Sequence, residues 1–559
     1  MKNRYTEGRR ALGIFALVVY ALVGATRSVR AGDDAADEAS ATIRPGALRA
    51  DMRFLADDLL EGRGTGTRGH EVAAKFMASE FEGMGLEPAG ENRTFFQSVP
   101  LRSIRPDQEH TTFSIVGEGK AQALIFAQDF VTSGDPGRTE TAVEAPIVYV
   151  GFGVTALEQG YDDYADVEAK GKIVAYLYGA PARFGSTMRA HYSSGVMKAA
   201  NAAAHGAVGT LLLDSPALEE LYSFNDRVRD LAFAGLRWLD RQGQPSDYFP
   251  TLRGTASLSM VGTAKLLQGS GKSPEAIYAA AKEGKPSSLA LAATAKIKIV
   301  SKLEDMHSPN VVARLQGSDP KLREEHLVYS AHLDHLGIGA PVNGDNIYNG
   351  ALDNASGSAC LLEIARAFSQ MKPRPRRSIL FVSVTGEEEG LLGSDYFAHY
   401  PTVSKDGLVA NINMDGAALL WPIEDLVARG AEHSTLDSAV HEAAARLKLG
   451  VSPDPYPEQV LFIRSDQYSF VKQGIPSLLL SAGKKSSNPN IKPEEIRRRW
   501  FATTYHKPQD DMNQPFDFES GAQFARYSFL LGYILAQRNE RPVWNPSDFF
   551  GEHYGKKKD

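Results

Sequence analysis

The fold follows from residues 330–390, which run SAHLDHLGIGAPVNGDNIYNGALDNASGSACLLEIARAFSQMKPRPRRSILFVSVTGEEEG. Three clusters of acidic and histidine side chains in this stretch each follow an apolar run: His332 with Asp334, then Asp353, then the glutamates of 387–389. Short, unbroken apolar runs are typical of a parallel sheet buried on both faces, and such a sheet binds ligands at the carboxyl ends of its strands. We therefore expect the three clusters at those ends, where they would form a metal site with a base beside it.

The sequence around this stretch alternates between strand-like and helix-like patterns, as a doubly wound sheet requires. The helix expected after Asp353 has apolar residues at helical spacing from 361 to 368, and a polar loop at 372–377 separates it from the next apolar run. Residues 408–414 and 477–481 are two more predicted strands, and a late amphipathic helix is predicted around 524–535. The predicted fold class is α/β, with a doubly wound, mostly parallel but mixed sheet.

Composition predicts a large folded protein around this centre. The chain has 559 residues, of which 43% are hydrophobic and 23% charged, which suffices for a substantial core and two or more domains. The formal net charge of −7 makes nucleic acid a poor partner. Cys360 is the only cysteine, so no intramolecular disulfide can form, and its apolar neighbours predict a buried small hydrophobe in preference to a nucleophile.

The first thirty-one residues have the pattern of a secretion signal. Four basic residues precede the apolar run 11–25, and residues 29–31 offer small side chains where a signal peptidase would cut. We expect this signal to be removed, with a retained anchor or a twin-arginine signal as alternatives. The mature protein would then be extracytoplasmic, in a bacterial periplasm or secreted, with no stable membrane span. Residues 32–43 are small and polar, and we expect them to be mobile.

Between about residues 109 and 300 the sequence pattern changes to short β-like runs separated by Gly, Pro and Asp. Residues 146–151, 171–177 and 209–213 are predicted strands, and 197–205 is an alanine-rich predicted helix. Tyr161-Asp162-Asp163-Tyr164-Ala165-Asp166-Val167, Gly171-Lys172-Ile173-Val174 and Gly206-Ala207-Val208-Gly209 together resemble the protease-associated domain that is inserted into several exopeptidases. A generic α/β insertion is the alternative.

The residue types restrict the metal chemistry. With one cysteine in the chain, the ligands must be His, Asp and Glu, which suit zinc. Glu387 and Glu388 are adjacent and must point in different directions, so one can bind metal while the other accepts a proton from a metal-activated water. Taken singly, each cluster has a simpler explanation: a surface His-x-Asp, an N-capping Asp353, and a solvated run of glutamates at a helix start.

Five motifs together carry a specific resemblance. They are, in order, His332-Leu333-Asp334, Asp353-Asn354-Ala355-Ser356-Gly357, Gly386-Glu387-Glu388-Glu389-Gly390-Leu391-Leu392-Gly393-Ser394, Asn413-Met414-Asp415 and Tyr505-His506. Across roughly residues 44–108 and 303–537 the chain resembles the di-zinc exopeptidase family of bacterial leucyl aminopeptidases, aminopeptidase Y and glutamate carboxypeptidase. Glutaminyl cyclases share this fold with one zinc and would not need His332 and Asp415.

The resemblance implies two Zn²⁺ ions and a role for each motif residue. His332 and Asp415 would hold one zinc, Glu388 and His506 the other, and Asp353 would bridge them. The remaining implied roles are Glu387 as general base, Asp334 as the group that orients His332, and Asp510 as the group that orients His506.

The composition and the resemblance together predict the domain boundaries. They are 1–31 for the signal peptide, 32–43 for a flexible N-terminus, 44–108 with 301–540 for a discontinuous zinc peptidase domain, 109–300 for the inserted protease-associated-like domain, and 541–559 for a C-terminal tail. Two features depart from the family pattern. Arg464-Ser465-Asp466-Gln467 stands where the family often has Ser-Asp-His, and neither Tyr468 nor Tyr505 is identified by sequence as the oxyanion-stabilising tyrosine.

The sequence leaves three functions to compare. A secreted zinc aminopeptidase acting on peptides is the leading one, and a carboxypeptidase or dipeptidase on the same metal site is the near alternative, because pocket residues rather than metal ligands select the substrate terminus. A non-catalytic, receptor-like binding protein is the distant alternative, although such a protein would be expected to lose ligands. The sequence does not predict residue specificity or oligomeric state.

Overall fold

The computed structural model describes residues 33–117, 120–284 and 287–555, apart from the side chain of Glu458. The predicted signal at 1–31 and the lysines of 556–558 lie outside the described residues. The α-helices after residue 44 are Pro45–Leu55, Arg68–Gly83, Ser186–Ser193, Gly195–Ala204, Pro216–Leu221, Phe224–Arg229, Met260–Leu267, Pro274–Lys282, Ser356–Gln370, Leu392–His399, Leu436–Leu447, Gln467–Val471, Pro493–Thr503, Phe518–Gln537 and Phe549–Tyr554. No helix within these ranges is long and apolar enough to cross a membrane.

A mixed sheet, called here the site sheet, has His332 at the end of one strand and Glu387, Glu388 and Asp415 just after two others. Four of its strands are parallel neighbours, and antiparallel strands flank them on both sides, which confirms the predicted fold class. The order across the sheet is Gly235–Trp238, Phe96–Pro106, Leu289–Leu315, Ser378–Val384, His326–His332, Leu408–Met414, Ser477–Ala482, Asp425–Arg429 and Gly450–Val451.

Both faces of the site sheet are covered by helices. Along the strand His326–His332, Leu327, Tyr329 and Ala331 pack towards the helices Ser356–Gln370 and Phe518–Gln537, whereas Val328 packs on the opposite side. Each fully buried large apolar side chain of this kind contributes about 1.5–3 kcal/mol. Cys360 lies in the first of those helices with no exposed surface, and burial raises the pKa of its thiol, so it is a core residue.

Residues 109–300, called here the inserted segment, build a second sheet. Its strands run in the order Lys120–Leu124, Thr112–Gly117, Leu289–Leu315, Glu140–Tyr149, Ile173–Leu177, Gly209–Leu213, Gly254–Leu258 and Phe130–Val131. The strand Leu289–Leu315, called here the shared strand, belongs to both sheets: its residues up to Val300 pair within the second sheet, and those from Ser301 pair within the site sheet. The change of sheet falls between Val300 and Ser301.

The inserted segment also pairs with the site sheet at a second place. Gly235–Trp238 returns to the site sheet and pairs with residues 101–104 of Phe96–Pro106. The Trp238 Nε1–H donates to Asp395 Oδ2 at 2.9 Å, and the ring packs with Leu101 and Tyr396. An edge strand with unpaired backbone groups favours such an addition. The segment is therefore less separable than a sequence boundary suggests.

The two termini are ordered where the sequence analysis expected a mobile segment and a tail. Residues 33–41 are helical, and Ala36 and Ala39 are buried against the main core because small side chains at this spacing allow close packing. At the other end, Phe549–Tyr554 is a helix whose Phe550 is fully buried beside Phe462 and Tyr468. Both segments are part of the packed structure.

Replacing Trp238 with Phe is expected to destabilise the protein by about 1.5–3 kcal/mol, because a buried carboxylate loses a donor. Trp544→Phe is the matched control, since its Nε1–H donates to the neutral carbonyl of Gly474 at 3.0 Å and its loss should cost about 0.5–1.5 kcal/mol. Urea unfolding of both variants measures the difference. If Trp238→Phe lost no more stability than the control, this would contradict the role of Trp238 in joining the inserted segment to the site sheet.

Candidate metal centre

Four of the predicted metal-site residues lie at the carboxyl edge of the site sheet. His332 ends the strand His326–His332, Glu387 and Glu388 follow the strand Ser378–Val384, and Asp415 follows Leu408–Met414. These strands are parallel neighbours, so their carboxyl ends meet at one edge. The expectation drawn from the apolar runs is met for these residues.

Asp353 reaches the same edge by a different route. The apolar runs predicted that Asp353 would follow a strand of the site sheet, but it does not. It comes after the separate hairpin Gly337–Val342 and Asp345–Tyr348, in the turn Ala351–Ala355 at the start of the helix Ser356–Gln370. The hairpin breaks the strand–helix alternation, and nothing in the apolar pattern distinguishes it from a sheet strand.

The two oxygens of Asp353 face different histidines. His332 Nε2 lies 3.2 Å from Asp353 Oδ1 and 3.2 Å from Asp415 Oδ1. His506 Nε2 lies 3.3 Å from Asp353 Oδ2 and 3.2 Å from Glu388 Oε2. The five residues therefore form two groups that share Asp353, which is the arrangement a bridged pair of cations requires.

Glu387 and Glu388 occupy the same edge but face different partners. One ligand atom each of His332, Glu387 and Glu388 lie within 4.8 Å of one another. Burial raises the pKa of Glu387 well above its usual range. Burial also disfavours the charge of Glu388, but His506 and His335 outweigh it and lower the pKa of Glu388 to about 2. The adjacent glutamates thus have opposite electrostatic environments.

The histidines sit in a strongly negative environment. Burial disfavours the charged form of His332, but the carboxylates of Glu387 and Asp415 outweigh burial and raise its pKa well above its usual range. The same balance, with Glu388 as the strongest neighbour, raises the pKa of His506 to about 10. His506 Nε2 is buried and faces the oxygens of Asp353 and Glu388 without hydrogen-bond geometry to either. Converging imidazole nitrogens and carboxylate oxygens with an orphaned ring nitrogen fit a divalent metal such as zinc.

His335 is a site residue that the sequence analysis missed. Its Nδ1 lies 2.6 Å from Glu388 Oε1, and its ligand atoms lie within 4.8 Å of those of Asp353 and Glu388. The available signal was a second histidine directly after His332-Leu333-Asp334. In this position the ring orients the Glu388 carboxylate.

Asp334 acts mainly on the glutamate turn. His332 Nδ1 faces the backbone carbonyl of Asp334 at 3.1 Å, while the Asp334 carboxylate is 3.9 Å away. That carboxylate accepts the backbone N–H groups of Glu387 and Glu388, each at 3.2 Å. The sequence indicated the pairing of Asp334 with His332 but not that it would run through the main chain.

Asp510 does not contact His506 in the way the resemblance implied. Its two oxygens accept the backbone N–H groups of Leu352 at 2.9 Å and Asp353 at 3.0 Å. Full burial raises its pKa to about 6. Asp510 therefore holds the turn that carries Asp353, because the free N–H groups at that turn need acceptors in a buried place.

The two tyrosines and Gln467 have distinct positions. Tyr468 points away from the centre, with its hydroxyl 2.8 Å from His191 Nδ1. Tyr505 stacks on His506 at 3.8 Å between ring centroids, and burial together with the charge of Asp353 raises the pKa of its hydroxyl well above the usual range. Gln467 Oε1 accepts a hydrogen bond from Asn413 Nδ2 at 2.9 Å. The residue that stands where the family often has histidine is therefore bound to the strand beneath the site.

Comparisons with known proteins give consistent results. Residues 310–529 match the family model described as Peptidase family M28. A probable zinc metalloprotease of Pyrenophora teres f. teres is 36% identical over 105 residues, which are 19% of this chain and 22% of that protein. A probable glutamate carboxypeptidase of Arthroderma benhamiae is 27% identical over 260 residues, 43% of this chain and 33% of that protein. The chain thus spans a third or less of these curated relatives.

One solved structure extends the similarity beyond the matched region. The aminopeptidase from Aneurinibacillus sp. strain AM-1 superposes with a TM-score of 0.51 and 20% sequence identity, and the match covers 92% of this chain and 99% of that one. At this level of identity the similarity concerns the fold. It supports the doubly wound architecture described above.

Substituting Asp353 with Ala is expected to remove most bound zinc, because both ligand groups depend on this carboxylate. Zinc per chain, measured by elemental analysis after dialysis, should fall sharply. Asp425→Ala is the matched control: Asp425 is also buried, but its oxygens accept from Ser452 Oγ and the backbone N–H of Lys485 instead of facing the site histidines. Undiminished zinc in Asp353→Ala, or an equal loss in the control, would contradict the central position of Asp353.

Proposed function

Residues 310–529 belong to peptidase family M28, and we propose on that premise that the chain is a zinc-dependent exopeptidase, most specifically an aminopeptidase with two zinc ions. The observation that carries the proposal is the position of Asp353, whose two oxygens face His332 and His506 separately. His332 and Asp415 would hold one ion, Glu388 and His506 the other, and Asp353 both. A receptor-like protein would have no reason to retain this complete set.

The proposed mechanism divides the chemistry between the metals and Glu387. When bound, zinc supplies Lewis acidity, which polarises a peptide carbonyl and lowers the pKa of water. Glu387 accepts the proton of the attacking water and passes it to the leaving amine nitrogen. Its carboxyl group lies beside His332 and Glu388, at the edge where the water would be bound, which supports this role. The backbone bonds from Asp334 hold Glu387 and Glu388 in their divergent orientations.

The charge around the centre supports recognition of a free amino terminus. Besides the ligands, the buried carboxyl group of Asp466 and the half-buried one of Glu389 face the same region, and loss of hydration raises the pKa of Asp466 to about 7 and that of Glu389 to about 8. A substrate ammonium group would relieve their repulsion with Asp415 and Asp334. One observation favours the alternative of a carboxypeptidase or dipeptidase: the guanidinium of Arg464 is near Tyr505, where it would attract a substrate carboxylate.

We further propose that the inserted segment restricts the length of the substrate. Its helix Ser186–Ser193 packs on residues 461–463, directly before Arg464. Thr187 Oγ1 lies 3.2 Å from His433 Nε2, and His191 Nδ1 lies 2.8 Å from the Tyr468 hydroxyl. A helix fixed in this way beside the site would leave room for short peptides only.

Glu387→Gln should bind zinc almost normally yet lose turnover by about a hundredfold to ten-thousandfold, the usual contribution of a general base. The amide keeps the shape of the side chain but cannot accept a proton. Glu388→Gln is the adjacent comparison and should instead weaken zinc binding. Steady-state kinetics and elemental analysis of both variants test this assignment, and reversed behaviour would exchange the two roles.

Cleavage of an unblocked amino-acid amide, compared with its N-acylated form, tests the choice of terminus. An aminopeptidase should cleave only the free amine, lose activity with a chelator and recover it with zinc. Unblocked peptides of two to ten residues, assayed in parallel, should show kcat/KM falling with length. Cleavage of an N-acylated peptide at its free carboxyl terminus would instead establish the carboxypeptidase alternative.

A further inference from the structure

We infer that Arg63 is a positioning residue for the metal centre, an inference that rests on the proposed zinc chemistry. Arg63 lies on the loop Asp58–Arg63, which precedes the inserted segment in sequence, and its side chain has no exposed surface. It extends beneath two chain segments that carry metal-site residues. One contains Leu333, between His332 and Asp334, and the other contains Gly350, three residues before Asp353.

The guanidinium group joins these two segments directly. Its Nε–H donates to the carbonyl of Leu333 at 2.8 Å. Its two amino groups donate to the carbonyls of Asn349 at 2.7 Å and Gly350 at 2.9 Å, and also to the carbonyl of Leu55. The planar fork of an arginine presents five donors in fixed directions, and four carbonyls accept from it here. A lysine cannot span both segments with that geometry.

The main chain of Arg63 reinforces the same contact. Its carbonyl accepts the backbone N–H of His335 at 3.3 Å, and Gly64 forms a bridge with the same residue. Arg63 therefore binds the 333–335 segment through both its side chain and its backbone.

The loop takes an uncommon conformation to place the side chain. Glu61, Gly62 and Arg63 have consecutive positive φ values of 51°, 67° and 50°. A Cβ on Gly62 would come within 2.4 Å of the carbonyl oxygen of Tyr348, so only glycine fits under the hairpin there. Non-glycine residues in the left-handed region are costly and persist where the surrounding structure fixes them. In this conformation the loop brings the guanidinium of Arg63 beneath the site.

Arg63 also supplies positive charge where the centre most needs it. Burial lowers the pKa of its guanidinium to about 10, and the carboxylates of Asp334, Asp510 and Asp353 oppose that fall, so the group stays charged at neutral pH. A permanent cation beneath converging carboxylates reduces their mutual repulsion before any metal binds. The fork and the charge together keep the ligand segments at the spacing that binding requires.

Zinc affinities of Arg63→Met and Arg63→Lys, measured by chelator competition, test the inference. Residues that support metal ligands typically contribute about 10–100-fold to affinity. We expect Arg63→Met to weaken zinc binding by about a hundredfold and Arg63→Lys, which keeps the charge but loses the fork, by about tenfold. Turnover should fall in the same order, with KM for a small amide substrate little changed.

Arg377→Met is the matched control. Arg377 is another fully buried arginine, bonded to Glu325 and to the carbonyls of Leu535 and Asn539, at the amino end of the strand Ser378–Val384. Its replacement should lower thermal stability and leave zinc affinity unchanged. A folded Arg63→Met with wild-type zinc affinity would overturn the inference, as would an equal loss of affinity in Arg377→Met.

Two further outcomes keep the test decisive. If Arg63→Met does not fold, Arg63→Lys decides, and wild-type zinc affinity in that variant would overturn the inference. The wild-type titration separates this question from the proposed function. A wild-type chain that binds no zinc refutes the zinc peptidase proposal, whereas zinc binding that is unchanged in both Arg63 variants refutes only the role of Arg63.

Discussion

Carboxylates that are buried side by side repel one another and lose their hydration. The donors around the centre are arranged so that they offset this cost. Asp353, Asp334 and Asp510 are all buried, and each is met by a donor: histidine rings at Asp353, the glutamate-turn amides at Asp334, and the Leu352 and Asp353 amides at Asp510. The negative charge that remains at this edge of the sheet favours the binding of divalent cations.

The parts of the site that sequence predicts well are those fixed by strand ends. His332, Glu387, Glu388 and Asp415 follow short, unbroken apolar runs, and the parallel sheet brings such positions together whatever the details of the loops. The helices on both faces of the sheet were likewise predictable from spacing. His506 does not end a strand, and only the resemblance to the di-zinc exopeptidase family pointed to it.

The parts that were missed depend on contacts between distant segments. Asp353 arrives through a hairpin, Asp510 bonds to amides instead of an imidazole, and His335 lies next to Glu388 only once two strands are paired. The helix at 33–41 has few large apolar residues, so its burial depends on alanines that fit a neighbouring surface. Hydrophobic periodicity contains no information about such partners.

The shared strand Leu289–Leu315 determines how the inserted segment can move. A domain joined to its host by flexible loops can swing as a lid, whereas this one is continuous with the rest of the chain through a twenty-seven-residue strand that pairs with strands of both sheets. Rotation at that joint would require the strand to bend and part of both ladders to open. The paired strand therefore sets the position of the inserted segment relative to the site sheet and opposes a hinge motion between them.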